Sequence, residues 1–228
     1  MRRVFVAPLI ALLPACLLIG GAVGFAASLA LTPKALAVFT SASSVPISTC
    51  TLTPAADTYA YQGSSGSNFG TATTLHVRSA ETGFILTSPD NKRSFARFDL
   101  SSCSIPTSAR VLTATMRLFM STAPSATRTY QLHRVTQAWG ETTLDWDNQP
   151  TAAATATASA ATGTTSNVTI QWNVLADVNA FVAGTTTNQG WRVRDSVETS
   201  STAREGRFNA REHATVSQRP SLAITYYP

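Results

Sequence analysis

Apolar and polar residues alternate along most of this chain in short runs, and turn-forming residues separate the runs. A period of two is the signature of a strand with one face against a core. Asp57-Thr58-Tyr59-Ala60-Tyr61 alternates and passes into the loop Gly63-Ser64-Ser65-Gly66-Ser67-Asn68. Thr74-Leu75-His76-Val77-Arg78 alternates again. In residues 93–100, Phe95 and Arg97 share one face, and Ala96, Phe98 and Leu100 share the other. Residues 111–120 make the longest candidate, with Leu112, Ala114, Met116, Leu118 and Met120 expected on one buried face. Residues 129–135 set Tyr130, Leu132 and Arg134 against Gln131, His133 and Val135. Residues 168–174, 190–195 and 221–227 complete the set, and Pro220 suits a strand start. One segment has a different period: Val174, Val178, Phe181 and Val182 share a helical face. Asn173 is its candidate N-cap and Gly184 its stop. Residues 151–167 are almost entirely Ala, Thr, Ser and Gly, and read as a long surface loop. As a linker between two domains they would leave each side too few strands for a core. The expected fold is all-β: an antiparallel β-sandwich with jelly-roll-like connections and one short helix.

The N-terminal region breaks this pattern. Met1-Arg2-Arg3 is basic, and no charge follows from Val4 to Leu31. Lys34-Ala35-Leu36-Ala37 then supplies the small-x-small site of a signal peptidase. The expectation is a signal peptide over 1–37 cleaved after Ala37, a linker over 38–53, and a domain over 54–228. An uncleaved membrane anchor is the alternative, since the run is long enough to span a bilayer. Pro8, Pro14 and Gly20-Gly21 interrupt that run and weigh against an anchor. Leu13-Pro14-Ala15-Cys16 has some likeness to a lipobox but lies in the middle of the apolar run rather than at its end.

Export changes how charge and cysteine are read. The 228-residue chain carries a net +5. Arg2, Arg3 and Lys34 leave with the leader and no acid does, so the mature chain falls to +2. Its arginines are dispersed rather than clustered, so no nucleic-acid partner is expected. Cys16 also leaves, and Cys50 and Cys103 remain to pair in an oxidising compartment. The protein is expected outside the cell or at its surface, touching a membrane only through an uncleaved N-terminus, and as a monomer.

Several segments resemble the DNRLRE domain, a secreted β-sandwich module common in actinobacterial proteins and also classed as carbohydrate-binding module family 96. They are Ala56-Asp57-Thr58-Tyr59, Asn68-Phe69-Gly70 with Leu75-His76-Val77-Arg78-Ser79, and the arginine-rich residues 93–100. Residues 109–119 also match, with Met116 where Leu is usual. The most specific piece is Trp139-Gly140-Glu141-Thr142-Thr143-Leu144-Asp145-Trp146-Asp147-Asn148-Gln149-Pro150, with Asp145 where Thr is usual. Gly190-Trp191-Arg192-Val193-Arg194-Asp195, Phe208-Asn209-Ala210-Arg211-Glu212 and Arg219-Pro220 follow in the family's order, with Ala210 where Ser is usual. The resemblance implies a non-catalytic module. Some members of the family look like binders of acidic polysaccharides such as alginate.

Sugar recognition calls for aromatic platforms and polar groups that hold hydroxyls or carboxylates. The candidates are Trp139, Glu141, Trp146, Trp191, Arg192 and Arg194. Arg192 and Arg194 share a strand face and suit a uronate carboxylate. Each has a plainer reading: tryptophans pack cores, Glu141 bonds a turn backbone, and arginines salt-bridge on a sheet face. No cofactor is expected. Asp145-x-Asp147 resembles the start of a calcium loop, but Pro150 stands where Gly is needed and Ala156 where the bidentate Glu belongs. A structural calcium would have to be assembled from scattered oxygens such as Asp57 and Asp195. His76, His133 and His213 show no metal spacing, and there is no GxSxG. Glu141, Asp145 and Asp147 lie in a turn beside Pro150, a poor cleft for a glycosidase. The sequence therefore points to a non-enzymatic module that binds an extracellular or cell-wall polysaccharide. The alternative is a structural or adhesive surface protein with no sugar ligand.

Overall fold

The computed structural model describes residues 46–80 and 89–228. The leader expected over 1–37, its cleavage site after Ala37, and the first part of the expected linker lie outside the described residues. Eleven strands are found within them: β1 (Ser48–Leu52), β2 (Ala56–Tyr61), β3 (Thr74–Ser79), β4 (Lys92–Arg97), β5 (Arg110–Thr122), β6 (Thr129–Arg134), β7 (Ala158–Ala161), β8 (Val168–Asn173), β9 (Trp191–Asp195), β10 (Arg204–Asn209) and β11 (Ser221–Tyr227). The α-helix α1 (Leu175–Val182) follows β8. No helix among the described residues is long and apolar enough to cross a membrane.

All the strand pairs are antiparallel and run as one curled sheet in the order β1-β11-β5-β10-β3-β4-β9-β6-β7, with β8 added on β5 and β2 on β4. The curl brings β8 over β6, where Trp172 Nε1 donates to the Tyr130 carbonyl at 3.1 Å. Between the two layers lies the larger core, with Met116, Leu118, Trp172, Tyr130, Leu132, Trp191, Val193, Phe98 and Phe208 buried together. Helix α1 closes one end with Val178 and Phe181. Asn173 Oδ1 accepts from the Leu175 amide. At the other end Gly184 adopts φ +68°, and the Gly184 and Thr185 amides reach the Phe181 and Ala180 carbonyls. That is a Schellman stop, which needs a residue free of the Cβ penalty in the left-handed region.

Three local features depart from the alternation read along the chain. Residues 48–52 were expected in the linker, yet β1 pairs with β11 through five residue pairs and lies in the sheet. The loop expected over 151–167 contains β7, which pairs with β6. In β5, Leu112 is only partly buried and Val111 is the residue that faces the core. The register against β11 slips there, with Tyr226 opposite Val111 and Thr225 opposite Thr113. A bulge inserts one residue and so inverts the in-out phase of everything beyond it.

Strand β4 is covered on both faces. Ala96 looks into the larger core, and Phe95 looks outward into a second cluster with Ala56, Ala60, Val135, Trp139 and Leu144. The segment carrying Trp139 and Leu144 folds over the outside of the second layer. Beside it Arg93, Gln131, Arg192 and Arg194 stay partly exposed.

Candidate functional site

The open part of this face is built by register. Arg192 of β9 sits between Phe95 of β4 and His133 of β6, and Arg194 sits beside Gln131. These residues point outward because their neighbours Trp191, Val193 and Asp195 are buried. Arg93 lies two residues before Phe95 on the same face. Its guanidinium sits over the Trp146 ring at 4.6 Å and makes two bonds to Glu198, at 2.7 and 2.6 Å. Arg194 donates to Gln131 and to His133 Nε2, and its other nitrogen is 3.5 Å from Glu198. His133 Nδ1 faces the Ala153 carbonyl at 2.8 Å, which puts the proton on Nδ1 and leaves Nε2 to accept. Burial, opposed by the bond to the Ala153 carbonyl and reinforced by repulsion from Arg194 and Arg192, holds the His133 pKa below its usual range, so the ring is neutral at pH 7.

Arg192 differs from its neighbours. Its Nε is buried and has no hydrogen-bond partner. Burial first, then repulsion from Arg93 and Arg194, lowers its pKa to about 10, against a partial offset from Glu198. It remains charged at neutral pH. Among the described residues, three guanidinium groups therefore crowd one face around the carboxylate of Glu198.

The other sequence candidates lie elsewhere. Trp191 is 1% exposed, packs between Phe98 and Phe181, and donates to Asp177 Oδ2 at 2.8 Å. Trp139 is 9% exposed and donates to the Gln189 carbonyl at 2.8 Å. Neither has a free ring face for a sugar. Trp146 is half-buried, with its inner side occupied by Arg93. Asp145 Oδ1 accepts from the Asp147 and Asn148 amides and shapes a turn.

Glu141 joins a separate group at the edge of β2. Its Oε1 accepts from the Asp57 amide at 2.8 Å and lies 3.1 Å from Arg211 Nε. The Gly70 loop approaches so closely that a Cβ there would come within 2.2 Å of the Glu141 carbonyl oxygen. One carboxylate oxygen from each of Asp57, Glu141 and Glu212 falls within 4.8 Å of the others. Asp57 is 1% exposed, so no sugar ring reaches between these acids and they do not form a glycosidase pair. Burial raises the Asp57 pKa to about 8; the Arg211 amide opposes this, and the Glu212 and Glu141 charges add to it. Asp195, by contrast, is held by Arg128 at 2.7 and 2.8 Å, remote from this group in its partners.

The family model for carbohydrate-binding module family 96 matches residues 48–226. The chain belongs to this family. No curated protein matches it. The match begins at β1 and ends in β11, so the whole described sheet is the family-96 module. The module's outer face also includes Arg93, Gln131, His133 and Glu198, which sequence reasoning did not single out. They come from positions up to 105 residues apart in the chain, as in Arg93 of β4 and Glu198 of the loop after β9. Only the register brings them beside Arg192.

Proposed function

We propose that this family-96 module binds an extracellular polysaccharide bearing carboxylates, on the outer face formed by Arg93, Arg192, Arg194 and Gln131, with Trp146 at its edge. The observation that carries the reading is Arg192: a half-buried cation with an unpartnered Nε, pressed by two further guanidinium groups. A uronate carboxylate brought against the outer end of this guanidinium supplies a counter-charge and relieves the repulsion. Charge-assisted bonds of this kind contribute about 1.5–3 kcal/mol each. Gln131 offers a polar contact beside them, while His133, 2% exposed, holds Arg194 through Nε2 rather than meeting a ligand. A disulfide between Cys50 and Cys103 fits an oxidising location and, with the leader-like N-terminus, supports a protein that works outside the cell.

The test is binding of the purified protein to alginate, pectin, chitin and cellulose. Selective binding to the acidic polymers is expected, weakened about tenfold or more by Arg192→Ala. Equal retention on neutral polymers, or no effect of Arg192→Ala and Arg194→Ala, would remove the proposal. A second reading, a structural or adhesive surface protein with no sugar ligand, draws on the burial of Trp139, Trp172 and Trp191. It becomes the better account if no polysaccharide is retained.

A further inference from the structure

We infer that Asp57, Glu141 and Glu212 form a calcium site that locks β2 to the segment following β10. The three carboxylates come from distant parts of the chain and offer oxygens within 4.8 Å of one another. Calcium–oxygen distances of about 2.4 Å allow ligand oxygens on opposite sides of one ion to be about that far apart. The surrounding bonds engage one oxygen of each group. Asp57 Oδ2 accepts from the Arg211 amide at 2.9 Å. Glu141 Oε1 is taken by the Asp57 amide and Arg211 Nε, and Glu212 Oε1 by Arg211 Nε at 2.7 Å. Asp57 Oδ1 and Glu212 Oε2 are buried with no hydrogen-bond partner, and the Glu141 contacts fall on its Oε1. Asp57 matters most here, because a fully buried carboxylate oxygen without a donor is costly unless something binds it.

Charge and donor type narrow the ligand. Three carboxylates against one guanidinium leave a deficit of two positive charges when all are ionised, which one divalent ion fills. Arg211 Nη1 is itself anchored on the Ala55 carbonyl, so it orients the acids from one side. Second-layer contacts of this kind fix metal ligands in place. The donors are all hard oxygens, with no His or Cys in the group, which disfavours zinc. Calcium tolerates irregular shells of six to eight oxygens, whereas magnesium demands a near-octahedral one. A pocket lined by Thr53, Pro54, Arg211, Glu212 and Arg219 opens beside Glu212.

The experiment is calorimetric titration and thermal unfolding of the full chain with calcium chloride after treatment with a chelator, with magnesium chloride as comparison. A saturable calcium isotherm is expected, with a rise in Tm of several degrees that magnesium does not reproduce and that Asp57→Asn abolishes. Glu212→Gln lies nearer the surface and keeps the test open if Asp57→Asn fails to fold; it should weaken calcium binding at least tenfold. No calcium heat and no Tm shift in the parent protein would overturn the site. So would an unchanged calcium response in both variants. Neither readout involves polysaccharide, so the site stands or falls apart from the proposed sugar face.

Discussion

Glu205 shows how one side chain in this sheet is tied to pH. Burial pushes its carboxyl up, but the bond to His76 and the charges of Lys92, His76 and Arg207 outweigh burial and hold its pKa at about 2. In an unfolded chain a glutamate titrates near about 4.3. Its contribution to stability is therefore complete above that value and is lost as pH falls through about 2. Urea midpoints measured between pH 5 and pH 2 should fall steeply in the parent and less steeply in Glu205→Gln. Trp191 is the second residue with a clear expectation. Truncation of this buried ring to alanine should cost about 3–5 kcal/mol in urea unfolding. A loss of sugar binding in Trp191→Ala would report damage to the core, whereas Arg192→Ala acts on the outer face. The sequence could mark Trp139 and Trp191 as important, but composition is silent on whether an aromatic ring faces a core or a solvent. Both are committed inward by indole N–H bonds, to the Gln189 carbonyl and the Asp177 carboxylate, whose partners are 50 and 14 residues away.

Elements with β-branched and aromatic residues in strict alternation were legible: β2, β3, β6, β8, β9 and β11 stand where the pattern puts them, within a residue or two at their ends. Helix α1 was legible from its period and its glycine stop. Strand β7 was not, because Ala158-Ser159-Ala160-Ala161 has no bulky alternation to read. It is held by main-chain pairing to β6, for which small side chains suffice. Strand β10 begins Arg204-Glu205-Gly206 and shows no apolar run until Phe208. The phase of Leu112 was misread because a bulge depends on the partner strand. At this scale the disulfide makes the clearest prediction. It joins β1 to the turn before β5 and closes a loop of 53 residues. The chain-entropy relation gives about 4 kcal/mol for such a loop. Replacing Cys50 and Cys103 together with serine should lower stability by roughly that amount in denaturant titrations, with the fold of the remaining sheet retained by circular dichroism.

For the whole molecule, the strand order places the first and last strands side by side, so the sheet is complete only when the end of the chain has returned to its beginning. Family membership covers that same span, from β1 to β11. Residues 38–228 carry a net charge of only +2, so any attraction of this part to an acidic polymer must come from the local grouping of arginines rather than from its total field. The neighbouring ends also decide how the module bears mechanical load. Ser48 lies opposite Tyr226, so tension applied between the two termini peels β1 from β11 one residue pair at a time, starting at Ser48. Peeling stops at the third pair, where Cys50 passes the tension through its sulfur to Cys103 and around everything between them. Strands β2, β3 and β4 thus stay slack while the remainder is stretched. In a single-molecule pulling experiment the oxidised module should release about 180 Å less contour length than the reduced one, the extended length of the bypassed residues.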